Sequence, residues 1–393
     1  MKAVTWQGTE DIRVEEVPDP KIEEPTDAVI RVTSTGLCGS DLHLYQPLSP
    51  FMTPGDIVGH EPMGIVEEVG SEVGNLQVGD RVVIPFQIAC GHCWMCDRQL
   101  YTQCETTQVR EYGSGAALYG YSKLYGSVPG GQAELLRVPQ AQFSPIKVPH
   151  GPVDDRFLFL SDVAPTAWQA VAYADVPDDG TLLVLGLGPI GLMSVRIGIH
   201  LGLRVIGVDQ VPERLARAAA AGAETIDMGA VDDVAEEVRS RTAGRGADSV
   251  VDAVGMEAHG SPVAELSQKA LGLLPRKVAA GLMQRVGVDR AAALTTALDA
   301  VRRGGTVSLS GVYGGMTQPL PLMDMFDKQI QLRMGQANVR RWLDDLMPLA
   351  MDDADPLGLE HLASHHLPLD AAPQAYKDFQ TKADGTFKVV FQP

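Results

Sequence analysis

Basic residues are scarce in this sequence. Its 393 residues include 32 lysines and arginines against 50 aspartates and glutamates, which gives a formal net charge of −18 at pH 7. A chain this acidic lacks the positive surface that binds DNA, RNA or an anionic membrane. We therefore expect a small-molecule partner, and neither a nucleic acid nor a membrane.

Long apolar runs are absent as well. The longest, at about residues 181–195, contains three glycines and a proline and is too short to cross about 30 Å of lipid. Residues 1–17 carry four acidic side chains and no apolar core typical of a secretory leader, so we expect a cytoplasmic protein. With 45% hydrophobic and 21% charged residues, the composition is that of a globular protein, and the length suggests two or three domains.

Cysteines are few, but four of the five fall within fifteen residues. Their spacing, C-x2-C-x2-C-x7-C, lets thiolates two residues apart bind one metal ion and offers Zn²⁺ four ligands in a closed, structural site. Two alternatives stay open: a pair of disulfides, which suits a secreted chain, and an iron–sulfur cluster, because C-x2-C-x2-C also occurs in ferredoxins. The residues concerned are Cys90, Cys93, Cys96 and Cys104.

The remaining cysteine belongs to a second candidate metal site. Cys38 is followed by Gly-Ser-Asp-Leu-His, and the sequence Gly59-His60-Glu61 comes about twenty residues later. A thiolate, an imidazole and neighbouring carboxylates are ligands that suit zinc. From these residues alone, a buried packing cysteine and an ordinary hydrogen-bonded histidine stay open as alternatives.

The middle of the chain has the pattern of a dinucleotide-binding site. An apolar run at 181–185 predicts a buried parallel strand, 192–201 has the apolar spacing of a helix, and 203–208 predicts a second strand. Between them, a G-x-G-x-x-G segment allows a tight turn and lets backbone amides approach a pyrophosphate. We assign to the cofactor the residues Gly186, Gly188, Pro189, Ile190 and Gly191.

An acidic residue ends the second predicted strand. Asp209 follows the first glycine at about the distance expected of the acid that binds the adenosine ribose. Its charge would repel the 2′-phosphate of NADP, so the sequence favours NAD. Arg214 is a further candidate for contact with the ribose or adenine, and a solvated helix position is its alternative.

The rest of the chain extends this architecture. Further strands are predicted near 224–226, 248–252, 305–310 and 329–334, which completes a six-stranded doubly wound sheet. Between 255 and 304 we predict two or three helices, which would form a lid, an oligomer contact or a peripheral addition. The β-rich first 150 residues have a hairpin in 1–17 and strands at 57–69 and 81–84, and the tail has a helix at about 339–351 and a strand at 387–391.

The order of these features resembles the zinc-containing medium-chain alcohol dehydrogenase family over nearly the whole chain. The segments that carry the resemblance are 36–43, Gly59-His60-Glu61, 64–70, 78–82, the four-cysteine segment, 130–134 and the glycine-rich turn. Within the family the chain is most similar to glutathione-independent formaldehyde dehydrogenases and formaldehyde dismutases. That similarity rests on Cys38-Gly-Ser-Asp, Pro85-Phe86, residues 160–166 and the extended segment after Val254-Gly255.

The resemblance implies an α/β fold with two domains. A Rossmann doubly wound parallel sheet would bind NAD over residues 163–335, with a helical insertion at about 256–304. A β-rich, GroES-like catalytic domain would comprise residues 1–162 and 336–393 and carry the structural zinc lobe at about 90–104.

The resemblance also implies two zinc ions in each chain, one structural and one catalytic. The catalytic ion would be held by Cys38, His60 and Asp162, for which a helix N-cap is the alternative role. Glu61 would bind this ion transiently or stand beside the ligands. Asp41 would orient His60 through its other ring nitrogen.

The activity implied is hydride transfer between NAD and a small alcohol or aldehyde hydrate, formaldehyde included. Ser40 and His43 are placed like the proton relay of the family, because imidazole titrates near neutrality, and a surface position is the alternative for His43. Competing activities are a polyol or other secondary alcohol dehydrogenase and a formaldehyde dismutase that retains NAD(H). The resemblance further implies a homo-oligomer, either a tetramer or a dimer.

Overall fold

The computed structural model describes residues 1–46, 48–255, 292–313 and 320–393. The helices predicted between 255 and 304 therefore lie outside the described residues, except for one that spans Ala292–Ala300. Among the helices that are described, none is both long enough and apolar enough to cross a membrane.

The elements follow one another along the chain as strands interrupted by short helices. The strands are β1 (Lys2–Gly8), β2 (Asp11–Glu16), β3 (Ala28–Leu37), β4 (Asp56–Ile57), β5 (Glu61–Val69), β6 (Arg81–Val83), β7 (Leu135–Val138), β8 (Ile146–Lys147), β9 (Thr181–Leu185), β10 (Arg204–Asp209), β11 (Glu224–Asp227), β12 (Ala247–Asp252), β13 (Val301–Leu309), β14 (Gln331–Met334), β15 (His365–Pro368) and β16 (Val389–Gln392). The α-helices are α1 (Gly39–Tyr45), α2 (Asp155–Leu158), α3 (Val163–Ala174), α4 (Pro189–His200), α5 (Pro212–Ala220), α6 (Val234–Arg241), α7 (Ala292–Ala300), α8 (Leu322–Lys328), α9 (Leu343–Met351) and α10 (Ala372–Thr381).

The chain divides into two compact units. The first comprises Met1–Pro165 and Ala337–Pro393, and the second comprises Thr166–Gln336. The assignment of a catalytic role to the first unit and a coenzyme-binding role to the second stays a prediction.

The first unit is built from β-sheet. Its larger sheet has the strand order β15-β16-β3-β5-β6-β8, with β7 also paired to β3, and a smaller sheet has the order β2-β1-β4. The long strand β3 is buried along most of its length because it pairs with β5, β7 and β16. Ile30 of β3 belongs to a core of buried apolar side chains that also includes Val66, Val82 and Leu136 from the neighbouring strands.

The second unit has a parallel sheet with helices between the strands. In its described part the strand order is β11-β10-β9-β12-β13-β14, and every pairing is parallel. This is the order of a Rossmann doubly wound sheet, in which the central strands are buried on both faces. Strand β9 is buried at all five positions for that reason. The predicted fold class is confirmed.

Several element boundaries differ from the sequence prediction. The strand predicted at 57–69 is wrong as a single strand, because it is divided into β4 and β5, which belong to different sheets. Strand β13 begins at Val301, before the predicted start at 305. The helix predicted at 339–351 begins as a 3₁₀ turn over Val339–Trp342 and becomes the α-helix α9 only at Leu343.

Candidate metal and coenzyme sites

Four predicted metal-binding side chains meet in the first unit. One ligand atom of each lies within 4.8 Å of the ligand atoms of the others. The four residues come from three separate places in the sequence: Cys38 follows β3, Glu61 begins β5 directly after His60, and Asp162 directly precedes α3. The residues that form this cluster are Cys38, His60, Glu61 and Asp162.

The pairing of β3 with β5 explains why two distant segments converge here. Gly36, near the end of β3, is paired with Glu61, and an added Cβ at Gly36 would collide with the Glu61 carboxylate. Gly59 has φ +95°, in the left-handed region that glycine tolerates, immediately before His60. The two glycines therefore allow the strand ends to bring these side chains together.

His60 is oriented by a carboxylate behind it. Asp41 Oδ1 lies 3.0 Å from His60 Nδ1, so the other ring nitrogen faces the cluster, with Nε2 3.4 Å from Asp162 Oδ2. Asp162 Oδ2 is also 3.7 Å from Cys38 Sγ. An imidazole held through one nitrogen and directed at a thiol and a carboxylate through the other is the arrangement of a metal ligand.

A chain of buried polar groups supports that carboxylate. Asp41 Oδ2 accepts hydrogen bonds from the backbone N–H of Cys38 (2.9 Å) and from Gln132 Nε2 (3.4 Å). The Tyr376 hydroxyl, in α10, donates to Gln132 Oε1 at 2.9 Å. Gln132 and Tyr376 were not singled out as functional in the sequence, where only the Gly130-Gly-Gln segment offered a signal.

The electrostatics of the cluster fit a divalent cation. Burial, with Glu61 and Asp162 nearby, raises the pKa of the Cys38 thiol to about 11. Burial opposes protonation of His60, but Asp41, Asp162 and Cys38 outweigh it and hold the pKa of His60 well above its usual value. The raised pKa values show that this buried cluster favours bound positive charge. A Zn²⁺ ion would provide that charge and displace the protons from the thiol and the imidazole.

Glu61 has a second partner that the sequence analysis missed. The ammonium group of Lys388 lies 2.7 Å from both of its carboxylate oxygens, and both side chains are buried. Nζ also donates to the carbonyl oxygen of Leu37 at 3.0 Å. No local pattern around Lys388 marks it, because the contact joins residues 327 positions apart.

The predicted relay residues lie one turn apart on α1. Ser40 Oγ is 3.3 Å from Cys38 Sγ and 3.2 Å from His60 Nε2, so its hydroxyl adjoins the cluster. His43 is only 8% exposed. The surface alternative considered for His43 is therefore wrong, since the helix turns this side chain inward.

The other four cysteines form a separate cluster, the lobe cluster, consisting of Cys90, Cys93, Cys96 and Cys104. Their sulphur atoms lie within 4.8 Å of one another, and all are free thiols, so the disulfide alternative is excluded. Backbone N–H groups of Cys90 and Glu105 donate to the sulphurs of Cys104 and Cys93 at 3.4 and 3.3 Å. Burial raises the pKa of Cys93, but N–H groups of Cys96 and Glu105 outweigh it and lower the value to about 6. A thiolate stabilised in this way is a ready metal ligand, whereas burial raises the pKa of Cys90 and of Cys96, whose protons a bound Zn²⁺ would displace.

The glycine-rich turn of the second unit has the geometry of a phosphate cradle. Gly186 has φ +80°, and an added Cβ at Gly191 would collide with its carbonyl group. At Gly188, however, an added Cβ would meet only Arg214 Nη1, at 3.8 Å. Gly188 therefore leaves open space beside the start of α4, whose first residues are Pro189 and Ile190. Unpaired N–H groups at a helix start bind anions, so this turn fits a pyrophosphate.

Asp209 stands beside the same turn at the end of β10. Its Oδ2 accepts a hydrogen bond from the N–H of Leu187 at 2.7 Å, and its Oδ1 accepts from Gln210 at 2.7 Å and Val211 at 3.0 Å. Arg214 Nη1 lies 3.7 Å from Oδ2. The carboxylate is thus fixed beside the glycine-rich turn, and Arg214 adjoins it.

Comparison with known proteins agrees with these two sites. The family model of the alcohol dehydrogenase GroES-like domain matches residues 24–149, and that of the zinc-binding dehydrogenases matches residues 189–270. A zinc-type alcohol dehydrogenase-like protein of Bacillus subtilis is 41% identical over 397 residues, covering 100% of both chains. The chain belongs to the zinc-type alcohol dehydrogenase family.

Two further similarities extend over the whole chain. A glutathione-independent formaldehyde dehydrogenase of Pseudomonas aeruginosa is 31% identical and covers 99% of this chain, which covers 97% of that protein. The solved structure of the alcohol dehydrogenase TADH from Thermus sp. ATN1 is 36% identical, with a TM-score of 0.82 over 100% of this chain and 99% of that one. This alcohol dehydrogenase is therefore a zinc-dependent oxidoreductase, and the iron–sulfur alternative for its lobe cluster is set aside.

Two aromatic rings lie beside the candidate zinc ligand His60 of this dehydrogenase. Phe86 and Tyr121 both present edge-to-face contacts to His60, with ring centroids 6.4 and 6.5 Å from the imidazole. Tyr125 packs against Tyr121 at 5.6 Å. The structure therefore places Phe86 and Tyr121 beside the candidate ligand His60.

Proposed function

We propose that this protein is an NAD-dependent dehydrogenase of small alcohols and aldehyde hydrates, with formaldehyde among its substrates. The observation that carries the proposal is the convergence of Cys38, His60 and Asp162 on one point, with the Ser40 hydroxyl beside them. Three protein ligands leave one coordination position for a substrate, which is the arrangement of a catalytic zinc site.

Each residue has a distinct task in this proposal. Cys38, His60 and Asp162 would hold the zinc, and the lobe cluster would hold a second, structural zinc. Zinc bound by the first set would act as a Lewis acid on the substrate oxygen, and NAD at the glycine-rich turn would exchange the hydride. Asp41 fixes the ring of His60, while Ser40 would accept the substrate proton and His43 would pass it on.

Substrate size is proposed from the aromatic surroundings. Phe86 and Tyr121 stand beside His60 and restrict the space near the metal ligands, which favours small substrates. The test follows NADH formation with formaldehyde, a short primary alcohol, benzyl alcohol and sorbitol in parallel, without glutathione. Formaldehyde and the short alcohol should be oxidised fastest. Turnover of only the larger alcohols would contradict the small-substrate proposal.

Replacement of His43 by alanine should slow alcohol oxidation about a hundredfold, the contribution typical of a positioned acid–base group. The loss should be greatest at low pH, where proton release needs a base most, and added imidazole should restore part of the rate. The matched control is His150→Ala, a histidine away from the cluster and on the surface. A pH profile of His43→Ala that matches the wild type would remove His43 from the relay.

Asp209→Asn should weaken the preference for NAD over NADP by about tenfold. The substitution keeps the shape of the side chain but removes the charge that repels a 2′-phosphate, a change of about 1.4 kcal/mol. The measurement is kcat/KM with each coenzyme, alongside thermal unfolding to register the altered hydrogen bond to Leu187. An unchanged coenzyme ratio in a stable variant would show that this carboxylate does not select NAD.

We also propose that the protein forms a homo-oligomer through the second unit. Helix α8 and strand β14, the outermost strand of the described sheet, expose large apolar side chains. Monomers rarely leave such a patch open to water. The residues are Leu322, Met323, Phe326 and Met334, exposed by 67%, 76%, 79% and 60%. Sedimentation at micromolar concentration should give a dimer or tetramer, and Phe326→Asp should shift the equilibrium toward the monomer. A wild-type protein that sediments only as a monomer would contradict the proposal.

A further inference from the structure

The ion pair between Glu61 and Lys388 is deeply buried beside the candidate zinc site. The side chain of Glu61 is 0% exposed and that of Lys388 is 1% exposed. Burial of two charges costs free energy that their attraction repays only with good geometry. Here each carboxylate oxygen lies 2.7 Å from the ammonium nitrogen, which has a further acceptor at Leu37.

Three neighbouring strands hold this pair in place. Strand β3 lies between β16 and β5, with Leu37 opposite Val389 on one side and Gly36 opposite Glu61 on the other. Lys388 directly precedes β16. The carboxylate of Glu61 occupies the space that a side chain at Gly36 would fill. The space at Gly36 and the ammonium group of Lys388 therefore fix the position of the Glu61 carboxylate, and the Leu37 carbonyl group helps to fix that of Lys388.

Without the ammonium group of Lys388, the Glu61 carboxylate could bind the zinc instead. Its oxygen belongs to the same group of donor atoms, all within 4.8 Å, as Cys38, His60 and Asp162. Four protein ligands make a closed tetrahedral zinc site of the structural kind, which has no position for a substrate. A catalytic site built from this cluster therefore needs one of the four donors to be kept away.

We propose that Lys388 is a positioning residue that holds Glu61 out of the coordination sphere of the catalytic zinc and so keeps the fourth position open. This inference rests on the proposed function, because it concerns the same zinc. Lys388 acts only through Glu61. Its removal should therefore matter while Glu61 is a carboxylate and should matter little once Glu61 is neutral.

The test compares Lys388→Met, the double variant Lys388→Met with Glu61→Gln, and the control Lys388→Arg, each with cobalt(II) in the catalytic site. The absorption bands of cobalt report its ligands independently of activity. In the wild type, added imidazole should enter the open position and change the spectrum. In Lys388→Met the spectrum should no longer respond to imidazole, release of the metal to a chelator should slow by about tenfold, and kcat should fall strongly.

The double variant distinguishes a Lys388 that positions Glu61 from a Lys388 that only stabilises the fold. The amide that Glu61→Gln introduces is a weak zinc ligand, so the double variant should respond to imidazole and release metal like the wild type, with much of kcat restored. Lys388→Arg should also behave like the wild type. If Lys388→Met still responds to imidazole, or if the double variant loses the response, the inference is wrong.

If Lys388→Met fails to fold, the double variant still tests the inference. If Glu61 were a metal ligand in the wild type, Glu61→Gln would remove that ligand, so the double variant would release metal faster than the wild type and have a different cobalt spectrum. Either result would contradict the inference. A wild-type protein that binds only one zinc would overturn the proposed function instead. Both proposals are supported if the wild type binds two zinc ions and the cobalt spectrum of Lys388→Met does not respond to imidazole.

Discussion

Replacement of Cys38 by serine should lower the zinc content from about two ions per chain to about one and reduce kcat/KM by about 10³-fold or more. A serine hydroxyl is a much poorer zinc ligand than a thiolate. Lewis-acid stabilisation is worth several kcal/mol, and each 1.36 kcal/mol is a factor of ten in rate. Metal analysis and steady-state kinetics on the same preparation measure both effects.

The control for this variant lies on β3, the strand that directly precedes Cys38. Thr35 is fully buried in β3, close to Cys38 in sequence, and it is not among the candidate ligands. Thr35→Val keeps the shape of the side chain, so it should leave two zinc ions and nearly full activity. A Cys38→Ser protein that keeps two zinc ions and wild-type turnover would exclude Cys38 as a ligand.

A second substitution distinguishes between the two candidate roles of Asp162, zinc ligand and helix N-cap. Asparagine caps a helix about as well as aspartate does, but its amide is a far weaker zinc ligand than a carboxylate. Asp162→Asn should therefore lose the catalytic zinc and activity much as Cys38→Ser does, without a change in thermal stability of comparable size. Full activity in Asp162→Asn would favour the alternative role of Asp162 as the N-cap of α3, which it directly precedes.

Local patterns in the sequence predicted the features that depend on neighbouring residues. The glycine turn between β9 and α4 was predicted because tight turns, helix starts and buried strands each leave a short-range signature. The cysteine spacing in the lobe is equally local. The parallel sheet could be predicted from the alternation of strands and helices, since short right-handed connections leave few topologies.

Features that depend on strand register could not be predicted in the same way. The contact between Glu61 and Lys388 requires β16, β3 and β5 to be adjacent. Nothing in the sequence near Lys388 indicates which strand β16 will pair with. The same holds for Tyr376, which reaches Asp41 only through Gln132. These contacts arise from pairing between the two ends of the chain, so they are visible only in the folded first unit.

Replacement of Cys96 by serine should remove the other zinc ion and destabilise the lobe, with catalytic zinc retained. The lobe cluster is packed with only a few apolar side chains, among them Ala89, Ala116 and Phe143. A segment with so small a core depends on its metal, because structural zinc supplies folding free energy directly. We expect a loss of about 3 kcal/mol or more, equivalent to roughly 6–12 °C in Tm, and faster proteolysis within residues 90–112.

The control for the lobe is an exposed contact on the same segment. The Arg98 guanidinium lies 3.6 Å over the ring of Trp94, which is 53% exposed, and a surface cation–π contact contributes only about 0.5–1 kcal/mol. Arg98→Ala should therefore keep two zinc ions and nearly the wild-type Tm. If Cys96→Ser behaves like Arg98→Ala in both measurements, the lobe is held by its own packing. If only Cys96→Ser loses zinc and stability, the metal holds the lobe, and the two zinc sites serve separate purposes: one keeps a fourth position for the substrate, while the other uses all four thiolates to fold the chain.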